Sequence, residues 1–223
     1  MAMSAGTNGP LGLRERKKRQ MHRAISDAAI SLFLERGFDG VSVAEVADAV
    51  QISKPTLFRY FPTKEDLVLH RFADHETEAG WVVAERPPGE SPLGALHAHF
   101  RTGLDRRDPV TGLNDDPEVL AFHRLVYGTP SLVARLFAYL GRSEEALAGA
   151  LTEAVAGGVE PCVGRTGARL AAAQVLAVQR VLAQENWRRI AGGESADAVH
   201  PDAVAAADIA YAQLRNGAGG LFA

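Results

Sequence analysis

Cysteine is nearly absent from this chain of 223 residues: Cys162 stands alone, which excludes an internal disulfide framework. Long apolar runs are missing too. None approaches the roughly 18 residues of a membrane span, and no apolar signal core follows the N-terminal charges, so the expected compartment is the cytoplasm. No stretch alternates at period two beside a hairpin turn, so strands are not supported. The motifs of common enzyme chemistry are also lacking. There is no His-Glu-x-x-His, no Glu-x-x-His pair, no Gly-x-Ser-x-Gly elbow, no P-loop and no dinucleotide fingerprint before a helix. Seven histidines are scattered along the chain, and His97 and His99 point to different faces of a helix. Cys162 falls in a glycine-rich loop from Gly157 without a CxxC partner and is expected to be inert. No catalytic residue, metal site or cofactor is therefore assigned, and the chain is not expected to be an enzyme.

What is present is an ordinary globular balance, 47% apolar and 23% charged, with a net charge of -3 that taken whole argues against nucleic acid. The charge is unevenly spread. Residues 1–64 carry ten basic groups against six acidic ones, a balance of +4, and hold all four lysines. Residues 65–223 carry 14 basic and 21 acidic groups, a balance of -7. Such asymmetry points to nucleic-acid contact by the basic segment.

Residues 1–12, small, polar and rich in glycine and proline, read as a disordered tail, and the glycine-rich 217–223 as a flexible one. Between them the pattern is all-α, with about nine helices and no internal repeat. Ile25, Ala28, Ala29, Leu32 and Phe33 form the apolar stripe of a helix from Arg14 to Arg36, stopped by Gly37. Ser42 and Glu45 form a capping box, Ser53 caps the next helix with Pro55 in its first turn, and Thr63 with Asp66 opens a longer helix through about Ala84. Later starts are expected at Ser91-Pro92, Asp116-Pro117, Thr129-Pro130 and His200-Pro201. Leu132, Leu136, Leu140, Leu147, Leu151 and Val155 mark one helix stripe. Leu170 to Trp187 is apolar or small on nearly every side except Gln174, Gln179, Arg180 and Gln184, so that helix needs partners on more than one side.

Residues 42–61, SVAEVADAVQISKPTLFRYF, have the outline of a helix-turn-helix, whose second helix enters the DNA major groove. Leu57 and Phe61 are spaced to pack inward with Val46 and Val50. Lys54, Thr56, Arg59 and Tyr60 fall outward and offer a cation, a hydroxyl, a guanidinium and a phenol to phosphates and base edges. Lys64 lies in the first turn of the following helix, where free amides favour an anion. The basic run Arg14–Arg19 can reach a neighbouring phosphate or the minor groove.

The stretch LFLERGFDGVSVAEVADAVQISKPTLFRYFPTKEDLV resembles the N-terminal domain of tetracycline-repressor (TetR) family transcriptional regulators, over about fifty residues from Arg23 to His70. The resemblance implies an all-α homodimer with a three-helix DNA-binding head over 13–63 and a larger helical effector-binding and dimerisation body over 64–216. By the family's motif Lys54, Pro55, Thr56, Phe58, Arg59 and Tyr60 lie on the recognition helix, and Lys64 is the following phosphate contact. With Ser42 and Ser53 these make up the candidate DNA contacts. Three positions depart from the pattern. Ala44 stands where a base-reading arginine is frequent, Phe58 replaces the commoner tyrosine, and Gln51 replaces a turn glycine. A positive φ at Gln51 would strain the backbone by about 1 kcal/mol.

For the body, the resemblance implies pairing of the last two helices, about 166–191 and 201–215, with their mates across a two-fold axis. Ala171, Ala172, Ala173 and Ala177 suit close approach, and Val175, Leu176, Val178, Val181 and Leu182 supply apolar area. A ligand pocket is expected among the earlier body helices. Its candidate lining is Trp81, Phe100, Phe122, Tyr127 and Phe137, with His123 or Arg124 as a polar anchor. The implied function is a DNA-binding regulator, a repressor released from operator DNA by a hydrophobic or amphipathic effector. The competing reading is an all-α small-molecule carrier with an inert helix-turn-helix.

Overall fold

The computed structural model describes residues 13–73, 75–154 and 161–222; the expected tail at 1–12, the stripe residue Val155 and the loop residues Gly157–Glu160 lie outside them. Ten α-helices and one 3-10 turn form the regular structure of the described residues, and none of it is strand. In chain order these are α1 (Leu13–Arg36), α2 (Val43–Ala49), α3 (Lys54–Tyr60), α4 (Lys64–Ala73) and α5 (Glu78–Ala84). There follow α6 (Pro92–Asp105), the 3-10 turn Pro109–Thr111, α7 (Pro117–Gly128), α8 (Pro130–Ala154), α9 (Pro161–Ala191) and α10 (Ala196–Phe222). The chain divides into two compact units, a head ending at Val68 and a body beginning at Leu69. That boundary falls inside α4 instead of at its start, and the charge balance then becomes ten basic against eight acidic groups in the head.

The head packs α1 against α2 and α2 against α3, with Ile25, Ala29, Phe33, Val46, Leu57 and Phe61 buried in its core. The Ser26 hydroxyl donates to the Leu67 carbonyl at 2.7 Å and ties α1 to the start of α4. Each junction is stopped and restarted by local chemistry. Gly37, at φ +79°, ends α1 in the left-handed region that glycine tolerates best. Ser42 and Glu45 complete the capping box on α2, and Thr63 and Asp66 form a reciprocal pair on α4.

In the body α8 packs on α5 and α9, and α10 packs on α6 and α9. Ser91 and Asp116 cap α6 and α7, with Pro92 and Pro117 in the first turns, and α8 starts at Pro130. Four expectations need correction. The helix expected to run from Thr63 to about Ala84 is two helices, α4 and α5, and no side chain caps α5 at Thr77. The last helix starts at Ala196, where Ser195 accepts from the Ala198 amide at 3.2 Å, and Pro201 is accommodated inside it. Proline removes only its own N–H, so an early-helix position loses one hydrogen bond. The same helix runs on to Phe222, through the stretch expected to be a tail, because propensity alone is a weak determinant. Finally, α9 begins at Pro161, so Cys162 belongs to a helix start and not to a loop.

Helix α9 has three faces. Ala168, Ala171, Ala172 and Val175 are buried in the body core, so Ala171 and Ala172 serve packing within the chain. Leu176, Gln179, Arg180, Ala183 and Gln184 face a cavity, and Leu170 and Val181 stand out in solvent. The 3-10 turn is held to α9 by Asn186, whose amide donates to the Thr111 carbonyl at 2.9 Å. Gly112, at φ +71°, lies so close to α9 that a Cβ there would sit 1.9 Å from the Ala183 carbonyl oxygen.

Candidate nucleic-acid interface and effector cavity

The turn between α2 and α3 is a Schellman closure: Ile52 donates to Ala47 at 3.0 Å and Gln51 to Asp48 at 3.0 Å. Gln51 takes φ +56° to make it, the strained geometry expected where glycine is usual. Ser53 then caps α3, accepting from the Thr56 amide at 3.2 Å. Burial of Leu57 fixes how the seven-residue helix is rolled, and its spacing leaves Lys54, Pro55, Phe58 and Arg59 exposed. Phe58, 40% exposed, carries the Lys54 ammonium 5.9 Å from its ring centre.

Three candidates are more constrained than their spacing suggests. Thr56 is half-buried, with its hydroxyl 2.8 Å from that of Ser53, so part of its hydrogen-bonding capacity is spent on the helix start. Tyr60 is half-buried with its ring edge-on to His22 of α1. Lys64 is turned back into the head: its ammonium donates to the Phe38 carbonyl at 2.5 Å and lies 4.4 Å from the Phe38 ring centre. Ser42 is exposed at the start of α2, and its hydroxyl already caps Glu45. The Ser42 amide, donating to Glu45 at 2.8 Å, and then the Arg36 guanidinium at 2.6 Å hold that carboxyl down at about 2. The basic side chains Arg16–Arg19 are exposed on the first turns of α1.

The body encloses a cavity of about 180 Å³ with a largely apolar wall. Of the five candidate lining residues and the two candidate anchors, Phe100 and Tyr127 alone reach it. Trp81 and Phe137 are 62% and 58% exposed on the outer faces of α5 and α8. Phe122 is buried against Phe72 instead. His123 is buried between Phe122 and Tyr127, and Arg124 is exposed. Aromatic content marks a helix as packed, and its spacing alone does not separate the cavity side from the core side. Burial pushes the His123 imidazole down to about 4, so it is neutral near pH 7, and its Nδ1 has no hydrogen-bond partner among the described residues.

The polar side of the wall was not anticipated. Glu78 bridges two imidazoles, with His75 Nδ1 at 2.6 Å and His99 Nε2 at 3.0 Å. Hydrogen bonds from His75 and then His99 hold the Glu78 carboxyl at about 2, and Glu78 in turn raises His99. His75 and Glu78 are a legible i,i+3 pair, but His99 comes from another helix. Gln179, Arg180 and Gln184, three of the four polar interruptions in the apolar α9 pattern, line the cavity, so that signal was in the sequence. Tyr127, on the wall, meets Trp187 of α9 with ring centres 4.9 Å apart.

Residues 25–70 match the model of bacterial regulatory proteins of the tetR family, the segment whose geometry is described above. The chain is 38% identical over 139 residues to the HTH-type transcriptional regulator TcmR of Streptomyces glaucescens, covering 62% of this chain and 60% of TcmR. The chain is thus similar to tetR-family regulators over residues 25–70 and to an HTH-type regulator over a longer stretch. It is also 31% identical over 110 residues to the HTH-type transcriptional repressor KstR of Rhodococcus jostii (strain RHA1), covering 48% of this chain and 51% of KstR. The chain thus spans half to three-fifths of the length of these curated relatives. Its fold matches a solved structure of a candidate transcriptional regulator from Pseudomonas aeruginosa PAO1 at a TM-score of 0.54 and 18% identity, covering 92% of this chain and 95% of the other. At that identity the likeness is one of fold alone.

Proposed function

We propose that this chain is a sequence-specific DNA-binding transcriptional regulator, acting in the cytoplasm as a homodimer. In this reading it is a repressor that a hydrophobic or amphipathic effector releases from its operator. The observation that carries the proposal is the outward side of α3, where Lys54, Phe58 and Arg59 are exposed over a core set by Leu57. Arginine and lysine there suit guanine edges and phosphates, and the Phe58 ring suits a thymine methyl. Arg59 is the leading base-reading candidate, Lys54 a phosphate contact, and Thr56 and Tyr60 secondary ones. With its ammonium on Phe38, Lys64 supports the head as well as any phosphate it meets.

The homodimer would pair through α9 and α10. Leu170, Val181 and Ile209 stand 59%, 55% and 61% exposed on these two helices, apolar area that a second copy would cover. Two heads are needed because half-sites lie about 34–36 Å apart along the duplex. Effector response would pass along α4, whose Phe72 lines the cavity and whose Lys64 lies in the head. An effector preferring the non-binding arrangement by a few kcal/mol would shift occupancy strongly. Nothing in the reading calls for catalysis or a cofactor.

Selection from a randomised duplex pool tests it. The expected result is an enriched inverted repeat whose half-sites are about one helical turn apart. Recovery of no enriched sequence, with only salt-sensitive and sequence-blind binding, would contradict it and favour a carrier with an inert helix-turn-helix.

A further inference from the structure

The charges on the cavity wall are unequally satisfied. Glu78 is engaged by two imidazoles at 2.6 and 3.0 Å, and Asp108 spends a carboxylate oxygen on the Val110 amide at 3.0 Å. Elsewhere in the body, several arginines hold carboxylates. Arg101 meets Asp208 at 3.1 Å, Arg107 meets Asp197 at 2.7 Å, and Arg189 meets Glu194 at 2.6 Å. Arg180 does not: half-buried on the cavity wall, its guanidinium reaches only the Gln184 amide oxygen, at a long 3.3 Å. A partly desolvated guanidinium facing an apolar space without an opposite charge is unfavourable as it stands, and a ligand oxyanion would offset that. Around it the wall is apolar, with Phe72, Leu96, Phe100, Leu136 and Leu176 among its residues.

We infer that the cavity selects anionic amphiphiles, with the carboxylate, sulfonate or comparable oxyanion on Arg180 and the apolar part against the phenylalanine and leucine wall. This rests on the reading of the cavity as an effector site and adds the chemical class of the effector. Arg180 supplies up to two parallel N–H donors, a geometry suited to an oxyanion. Gln179 and Gln184 flank it on the same helix. Glu78 would repel such a ligand less than a bare carboxylate, because two imidazoles face it.

The test uses two probes that differ only in charge: 8-anilinonaphthalene-1-sulfonate, an apolar anion, and its neutral parent N-phenyl-1-naphthylamine. Trp81 and Trp187 are the only tryptophans, so in a Trp81→Phe background energy transfer from Trp187 reports a probe beside Tyr127. Displacement of one probe by the other assigns them to one site. Arg180→Met is expected to weaken the sulfonate roughly ten-fold and to leave the neutral probe within about two-fold. Arg180→Lys should restore most of the difference. On the chain with Arg180 intact, rising salt should weaken the anion and spare the neutral probe, a readout that needs no folded Arg180 variant. Equal effects of Arg180→Met on both probes, or no effect on either, would overturn the inference while leaving the cavity as a site. Failure of both probes to bind would instead overturn the effector reading itself, and the inference with it.

Discussion

The head and the body of this chain use their charges in opposite ways. On the head, Lys54 and Arg59 are turned outward from a small core, and the acidic groups Glu45 and Asp66 are committed to helix caps. In the body, Arg101, Arg107 and Arg189 are paired with carboxylates, while Arg180 stands on a cavity wall with only an amide oxygen. One unit is built to present charge and the other to enclose space. The difference follows from what each buries: the head buries just enough to fix the roll of a seven-residue helix, while the body surrounds a cavity with helices that must approach closely.

The sharpest way to break that comparison is to make one substitution in both units. Gly37 and Gly112 have similar positive φ, +79° and +71°, but only Gly112 is crowded, with its would-be Cβ 1.9 Å from the Ala183 carbonyl. Gly112→Ala is expected to lower body stability by about 3 kcal/mol in thermal unfolding, and Gly37→Ala to cost the head only about 1 kcal/mol of backbone strain. Equal losses would mean that the contact between the 3-10 turn and α9 is not as tight as described.

Acid should separate the units next. Burial holds His123 at about 4 in the folded body, against 6.5 for an exposed imidazole, so the unfolded chain binds the proton first. Body stability is therefore expected to fall as pH drops from 6.5 through 4, approaching a loss of about 3 kcal/mol below that range. Glu45 in the head is held at about 2 against 4.5, so its contribution is complete above pH 4.5 and fades only as pH falls toward 2. Both tryptophans lie in the body, so tryptophan emission should respond before the affinity of the head for DNA would suggest. His123→Leu should flatten the upper part of that profile; an unchanged profile would remove His123 as its cause.

Two smaller effects concern the helix-turn-helix alone. Ser53→Ala removes the cap that accepts from the Thr56 amide and should destabilise the head by about 1 kcal/mol. Gln51→Gly relieves the φ of +56° and should stabilise the head, by somewhat less than about 1 kcal/mol because glycine also loses more freedom on folding. Denaturant midpoints of the two variants, compared with the parent, should move in opposite directions.

Legibility in the sequence followed the range of the interactions. Ser42 with Glu45, Ser53 before Pro55, Thr63 with Asp66 and the proline-led starts of α6, α7 and α8 depend on residues within a turn of one another, and each is readable locally. The strain at Gln51 was readable for the same reason. The roles of Thr56 and Lys64 were only half readable, because the partner of Lys64 is Phe38, on a loop 26 residues away. In the body the aromatic stretches were recognisable as packed helices, yet Trp81 and Phe137 face solvent while Tyr139 lines the cavity. Which side of an apolar helix faces a cavity depends on its neighbours, and a bridge such as His99 to Glu78 joins helices that the local pattern does not connect. Charge told a similar story: the -3 total concealed a basic segment, and placing the boundary at Val68 reduces its excess to ten basic against eight acidic groups. The direction of the asymmetry holds, and the outward side of α3 carries the argument more directly than the sum.

The most direct measurement is the affinity of the parent, Lys54→Ala and Arg59→Ala for a selected duplex and for a scrambled one, across a salt series. The parent should prefer the selected duplex. Arg59→Ala should erase most of that preference, at about 1–3 kcal/mol per contacted base, while Lys54→Ala should weaken both duplexes alike and flatten the salt dependence. Equal affinity of the parent for both duplexes, unmoved by either substitution, would contradict the assignment of α3 as a DNA-reading helix.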